Sequence, residues 1–278
     1  MLSPLGIFDS GVGGLSVLRE IHALLPNEAT IYLADQGHVP YGSRPLEEVR
    51  AFSEEIARFL LAQGAKLIVV ACNTASAAAL HHLRQTFPET PFVGMEPAVK
   101  PAAEQTQSGV VGVLATPATF QGALYASVVE RFASGVTLVQ HTCPGLVGQI
   151  EAGNLETAET RAILEEALRP MLARGIDTVV FGCTHYPFLI PLIEAIVGPT
   201  VRVIDPAPAV ARQVERVLEG RGLRSPAAAI GARRFLTSGD SRAFQTLLLR
   251  LLGLNGVVER VDWQDPYNYP PPVLSTSG

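Results

Sequence analysis

Residues 67–77 read LIVVACNTASA, and residues 178–188, at a fixed offset of 111, read TVVFGCTHYPF. In each stretch a short apolar, β-branched run stops at a cysteine, Cys72 or Cys183, and small or polar residues follow. Such a run, bounded by turn-forming residues, reads as a buried strand. The match extends backwards from the cysteines. Arg50, Ala51, Glu54, Glu55, Arg58, Leu61, Ala62, Gly64, Val69 and Cys72 recur as Arg161, Ala162, Glu165, Glu166, Arg169, Leu172, Ala173, Gly175, Val180 and Cys183. Ten identities at one offset predict an internal duplication, with the two cysteines at equivalent points of its copies.

The flanking chain alternates strand and helix patterns around both cysteines. In the first half, GIFDS is a strand cut off by DSGVGG, and LSVLREIHALLP has helical apolar spacing that ends at Pro26. TIYLAD is a strand ending at Asp35, the loop QGHVPYGSRP follows, and residues 46–63 form a helix with Gly64 at its C-cap. An Ala-rich helix to about Thr86 and the strand PFVGME complete the half. In the second, VVGVLAT, a helix over FQGALYASVVERF, VTLVQHT (Thr142 opposite Asp35), a helix over 158–174 and VRVID repeat the plan. The alternation predicts an α/β protein of two similar parallel-sheet domains related by a pseudo-twofold axis, with the active site between them. The expected division is a first domain of residues 1–97 completed by 208–278, and a second of 98–207. The 208–278 segment adds a helix over 210–218, strands RFLTSGD and VVERVDW around the helix AFQTLLLRLLG, and an extended PYNYPPP tail.

Composition narrows the function. The chain of 278 residues is 47% hydrophobic and 17% charged, enough apolar material for large cores and too little charge for disorder. A net charge of −5 without a basic cluster argues against nucleic acid as a partner. No stretch predicts a signal peptide or a membrane span, and three cysteines outside any CxxC or zinc spacing predict reduced thiols, no metal and a cytoplasmic protein. The sequence does not fix the oligomeric state; a homodimer is compatible with it.

In an open parallel sheet, ligands bind beyond the carboxyl ends of the strands. Asp9, Ser10, Asp35, Cys72, Asn73, Thr74, Thr116, Cys183, Thr184 and His185 all follow directly on expected strands. Facing domains would bring Cys72 and Cys183 to opposite sides of one pocket, expected to be closed and polar. Two acid/base groups on opposite faces of one carbon are what a 1,1-proton transfer requires. Each cysteine at a strand-to-helix turn is expected to gain thiolate character from the helix N-terminus, with Asp9 and His185 tuning and shuttling protons.

The motifs FDSGVGG, VPYG, ACNTAS and GCTHYP, with TSGD at residues 237–240, resemble those of the glutamate racemases, in the cofactor-independent aspartate/glutamate racemase superfamily. The resemblance spans essentially the whole chain. It implies interconversion of L- and D-glutamate without cofactor or metal, feeding peptidoglycan synthesis, with Cys72 acting on D-glutamate and Cys183 on L-glutamate. It further implies that Asp9, Ser10, Pro40, Tyr41, Gly42, Asn73, Thr74, Thr116, Thr184 and His185 serve the amino acid, and that Asp35 and Glu151 are supporting acids. One departure is CPGLVGQIEAG (residues 143–153), where bulkier residues are expected at Gly145 and Gly148.

Other readings compete. A lone cysteine after a strand is usually a buried small hydrophobe, and Cys143 is assigned that structural role. His81 and His82 are expected at a helix surface, as are the paired glutamates at 54–55 and 165–166. The glycines at 11, 13 and 14 suggest a phosphate loop, and with it an ATP-dependent phosphotransferase. However, GVGGLS is not GxGxxG, and the second half, GVLATPA, has no matching glycines. Neither Lys66 nor Lys100 is placed as a pyridoxal phosphate lysine would be. Aspartate or a hydantoin is the alternative substrate; a non-enzymatic binding protein of the same fold would show slack at the cysteines, which the sequence does not.

Overall fold

The computed structural model describes residues 3–226 and 230–263; the PYNYPPP tail lies outside them. The first half runs β1 (Leu5–Asp9), α1 (Leu15–Leu24), β2 (Thr30–Ala34), α2 (Leu46–Ala62), β3 (Leu67–Val70), α3 (Asn73–Thr86), β4 (Phe92–Gly94) and α4 (Val99–Gln105). The second runs β5 (Val110–Ala115), α5 (Pro117–Gln121), α6 (Ala123–Phe132), β6 (Thr137–His141), α7 (Leu146–Glu151), α8 (Ala158–Ala173), β7 (Thr178–Gly182), α9 (Ile190–Val197) and β8 (Arg202–Ile204). The chain continues with α10 (Ala207–Gly220), β9 (Arg233–Thr237), α11 (Ser241–Leu252) and β10 (Val258–Arg260).

Two parallel sheets result, ordered β10-β9-β2-β1-β3-β4 and β6-β5-β7-β8. Within them, β2-β1-β3-β4 and β6-β5-β7-β8 have the same order, so the duplication read from the cysteines is also a duplication of topology. Sheet strands are continuous apolar runs because both faces are covered. In β3, Leu67 and Val69 point into a core shared with α1 and α10, while Ile68 and Val70 point into one with α2 and α3. The first of these cores continues across to β7, α8 and α9, and so joins the two sheets.

Several expectations need correction. The helix expected over 120–132 is two, α5 and α6, broken at Gly122, whose backbone is extended (φ −70°, ψ 138°). Glycine suits this point because a Cβ there would lie 2.6 Å from the Ala77 Cβ on α3. The helices α4, α7 and α9 were not anticipated, and α10 is longer than its apolar spacing suggested. Two glycines of DSGVGG, Gly11 and Gly13, serve close approach between the two halves. A side chain at Gly11 would collide with the Glu151 carboxylate, and one at Gly13 with the His185 ring.

Candidate active site

The strand ends converge as their positions in parallel sheets require. A cavity of about 390 Å³ between the two sheets is lined from the first half by Ser10, Pro40, Tyr41, Gly42, Cys72, Asn73 and Thr74. From the second half come Thr116, Cys183, Thr184 and His185. All eleven were named from sequence.

Cys72 is the N-cap of α3, its Sγ accepting from Ala75 N–H at 3.5 Å, and its thiol donates to Ser10 Oγ at 3.8 Å. The helix N-terminus favours thiolate, but burial and the nearby Asp9 charge outweigh it and hold the thiol well above its ordinary range. At Cys72, then, burial opposes the thiolate that the helix N-terminus favours. Cys183 precedes a short 3₁₀ turn rather than an α-helix, and its Sγ lies 3.7 Å from His185 Nδ1. Burial disfavours a charged His185. Its hydrogen bonds with Cys183 and Glu151, and their charges, outweigh that and place its pKa well above 6.5.

Three expected residues do not line the cavity. Asp9 is fully buried beneath it, Oδ1 accepting from Thr184 Oγ1 (3.2 Å) and Oδ2 from Gly11 N–H (3.1 Å). Burial raises its pKa, with opposition from His185. Glu151 reaches across from α7: Oε1 accepts from His185 Nε2 (2.6 Å) and Val12 N–H (2.7 Å). Asp35 accepts from Tyr41 Oη (2.5 Å), His38 Nδ1 (2.9 Å), Ser238 Oγ (2.6 Å) and Trp263 Nε1 (2.8 Å). Although burial raises its pKa, these donors bring it below 3.8. Asp35 thus fixes Tyr41, which does face the cavity.

Asn73 is 2% exposed, and among the described residues neither its Nδ2 nor its Oδ1 has a hydrogen-bond partner. Buried amides are almost always satisfied, so this one is poised for a ligand with both a donor and an acceptor, as an ammonium and carboxylate on one carbon provide. The sequence marks 143–153 as a departure and places Thr142 opposite Asp35, but names none of the outer wall as site residues: Thr142, Cys143, Pro144, Gly145, Val147 and Gly148. Cys143, assigned a structural role, lines the cavity from a left-handed backbone (φ 46°), its N–H donating to His141 Nδ1 (3.0 Å). Burial pushes its thiol up to about 12. That wall follows β6, and its strand-end position was the available signal.

The two sheets and the two duplicated cysteines thus share one cavity. Residues 6–214 match the family described as Asp/Glu/Hydantoin racemase, and the chain belongs to that family; it is a racemase, an isomerase. Its relatives narrow the class further. The glutamate racemase of Roseiflexus sp. (strain RS-1) is 54% identical over 89% of this chain and 92% of its own. The crystal structure of glutamate racemase isoform RacE1 from Bacillus anthracis aligns with a TM-score of 0.85 at 34% identity, covering 95% of this chain and 98% of that one. Escherichia coli glutamate racemase, in complex with L-glutamate and the activator UDP-MurNAc-ala, aligns at 0.81 with 33% identity, covering 92% and 97%.

Proposed function

We propose that this protein interconverts L- and D-glutamate without a cofactor, by two-base proton transfer between Cys72 and Cys183. The observation that carries the reading is that these two duplicated cysteines line one cavity from different sheets. The sheet membership of β9 and β10 supports a first domain of residues 1–97 with 208–278 and a second of 98–207. The names of the relatives support glutamate as substrate.

In the L-to-D direction, the Cys183 thiolate takes the Cα proton and becomes a thiol. The electron pair left on Cα is delocalised into the substrate carboxylate. Cys72, held as a thiol by its burial, gives its own proton to the opposite face and becomes the thiolate. The D-to-L direction exchanges the roles, and His185 moves the proton at Cys183 Sγ. Asn73, Ser10, Thr74, Thr116, Thr184, Tyr41, Gly42 and Pro40 hold the ammonium and carboxylate groups. Asp9 orients Thr184 from below. The product D-glutamate supplies peptidoglycan, a role supported by the muramoyl nucleotide bound to the Escherichia coli relative.

The test is incubation with L-glutamate in D2O without added cofactor, following Cα deuteration by NMR together with optical rotation. Wild type should lose rotation and gain deuterium at Cα, and Cys72→Ser and Cys183→Ser should each abolish racemisation. Failure of the wild type to exchange L-glutamate while it exchanges L-aspartate would move the substrate; failure with both would end the proposal.

A further inference from the structure

The hydrogen bonds at His185 do not end with Glu151. The TSGD segment lies at the end of β9, outside the cavity, and its first residue is joined to the same line. Gly239 N–H donates to Thr237 Oγ1 at 3.0 Å, which leaves the hydroxyl proton for Gln36 Oε1, also at 3.0 Å. With its carbonyl so occupied, the Gln36 amide must turn its NH2 outward, and that group donates to Glu151 Oε2 at 2.9 Å. The other carboxylate oxygen serves Val12 N–H and His185 Nε2, and His185 Nδ1 faces Cys183 Sγ. The donors thus run from the Gly239 amide to Glu151 Oε2, and the same carboxylate accepts His185 Nε2–H on its other oxygen.

Packing holds the glutamine in this role. Thr237 is fully buried, and Gly239 leaves the space Gln36 occupies, since a Cβ there would lie 2.8 Å from the Gln36 Cβ. Among the described residues Gln36 is the donor to Glu151 Oε2. Gln36 follows β2 in the six-stranded sheet while Glu151 ends α7 in the other half, so the contact also crosses between the halves.

We propose that Gln36, oriented by Thr237, is a positioning residue for the reaction. It fixes the Glu151 carboxylate so that Oε1 meets His185, and through His185 it sets the proton path at Cys183. The inference rests on the two-cysteine reading above. A carboxylate freed on one side can rotate, and small displacements at a reacting centre carry large rate costs.

The test is steady-state kinetics and thermal melting of Gln36→Met, Thr237→Val and Thr237→Ser. Gln36→Met should lower kcat by about 10- to 100-fold with KM within about twofold of wild type, since neither residue lines the cavity. Thr237→Val should lower kcat in the same sense, and Thr237→Ser, which keeps the hydroxyl, should restore it. The double variant Gln36→Met/Thr237→Val should be no slower than Gln36→Met alone, because one line is already broken. A kcat for Gln36→Met within about twofold of wild type, a Thr237→Ser variant as slow as Thr237→Val, or full additivity would each overturn the inference. Racemisation by Cys183→Ser would instead show that the two-cysteine reading itself had failed.

Discussion

Gly11 and Glu151, from opposite halves of the molecule, approach so closely that a Cβ at position 11 would overlap Glu151 Oε1. That oxygen also binds His185 Nε2 and the neighbouring Val12 N–H. Gly11→Ala should therefore displace Glu151 and, with it, His185. The expected result is a fall in kcat/KM of about 10²-fold, larger than any effect on folding. Kinetics beside a thermal melt checks it; an alanine variant with near-wild-type turnover would mean that the carboxylate does not hold the imidazole.

Asn73 gives a prediction of opposite signs for stability and binding. A buried amide without partners costs about 1–3 kcal/mol, so Asn73→Ala should leave the melting temperature of the free protein unchanged or raised. The same change should raise KM for glutamate by at least about tenfold, because the lost interactions are made to the substrate. A lower melting temperature with unchanged KM would show that the amide has a structural partner instead.

The pH dependence of turnover should depend on Glu151. His185 is held charged well above pH 6.5 by its bonds to Cys183 and Glu151 against the cost of burial. The cationic form exists below that raised pKa and is lost as pH rises through it. Glu151→Gln keeps the shape but removes the charge, which lowers the His185 pKa. The alkaline limb of the kcat/KM profile should then move to lower pH, and an unmoved limb would exclude His185 as the group that titrates there.

Gly148, inside α7 on the cavity wall, has nothing within 4 Å of a Cβ position. Gly148→Ala should stabilise the helix by about 1 kcal/mol. For a chain of this size that corresponds to a melting temperature higher by about 2–4 °C. Differential scanning calorimetry measures it directly.

Local pattern made most of the fold legible, and long-range contact accounts for what was not. The offset between Cys72 and Cys183 predicted two similar parallel-sheet domains, because each copy carries the same apolar run and stop; their shared strand order is a finding of the structure. The cavity residues that follow strands were legible for the same reason. The close approach of Gly122 to Ala77 on α3 was not, since the two are distant in sequence. Cys143 pattern-matched a buried structural thiol, and only the left-handed turn at φ 46° aims that segment at the cavity. The helix N-terminus at Cys72 was legible and is present, whereas the opposing effect of burial depends on packing that local pattern does not show. Gln36 carried no motif at all, and its place follows from partners at Glu151 and Thr237.

The register of β2 has a consequence for synthesis. Thr30 pairs with Arg233, whereas the four-stranded sheet is contiguous from β5 to β8. A chain emerging from the ribosome at about 5–20 residues per second can close the four-stranded sheet while β2 still has an open edge. Both cysteines are then present for several seconds before Thr237 and Ser238 exist to hold Gln36 and Asp35. A chain cut short before β9 therefore carries both cysteines but lacks the Thr237 and Ser238 hydroxyls that hold Gln36 and Asp35.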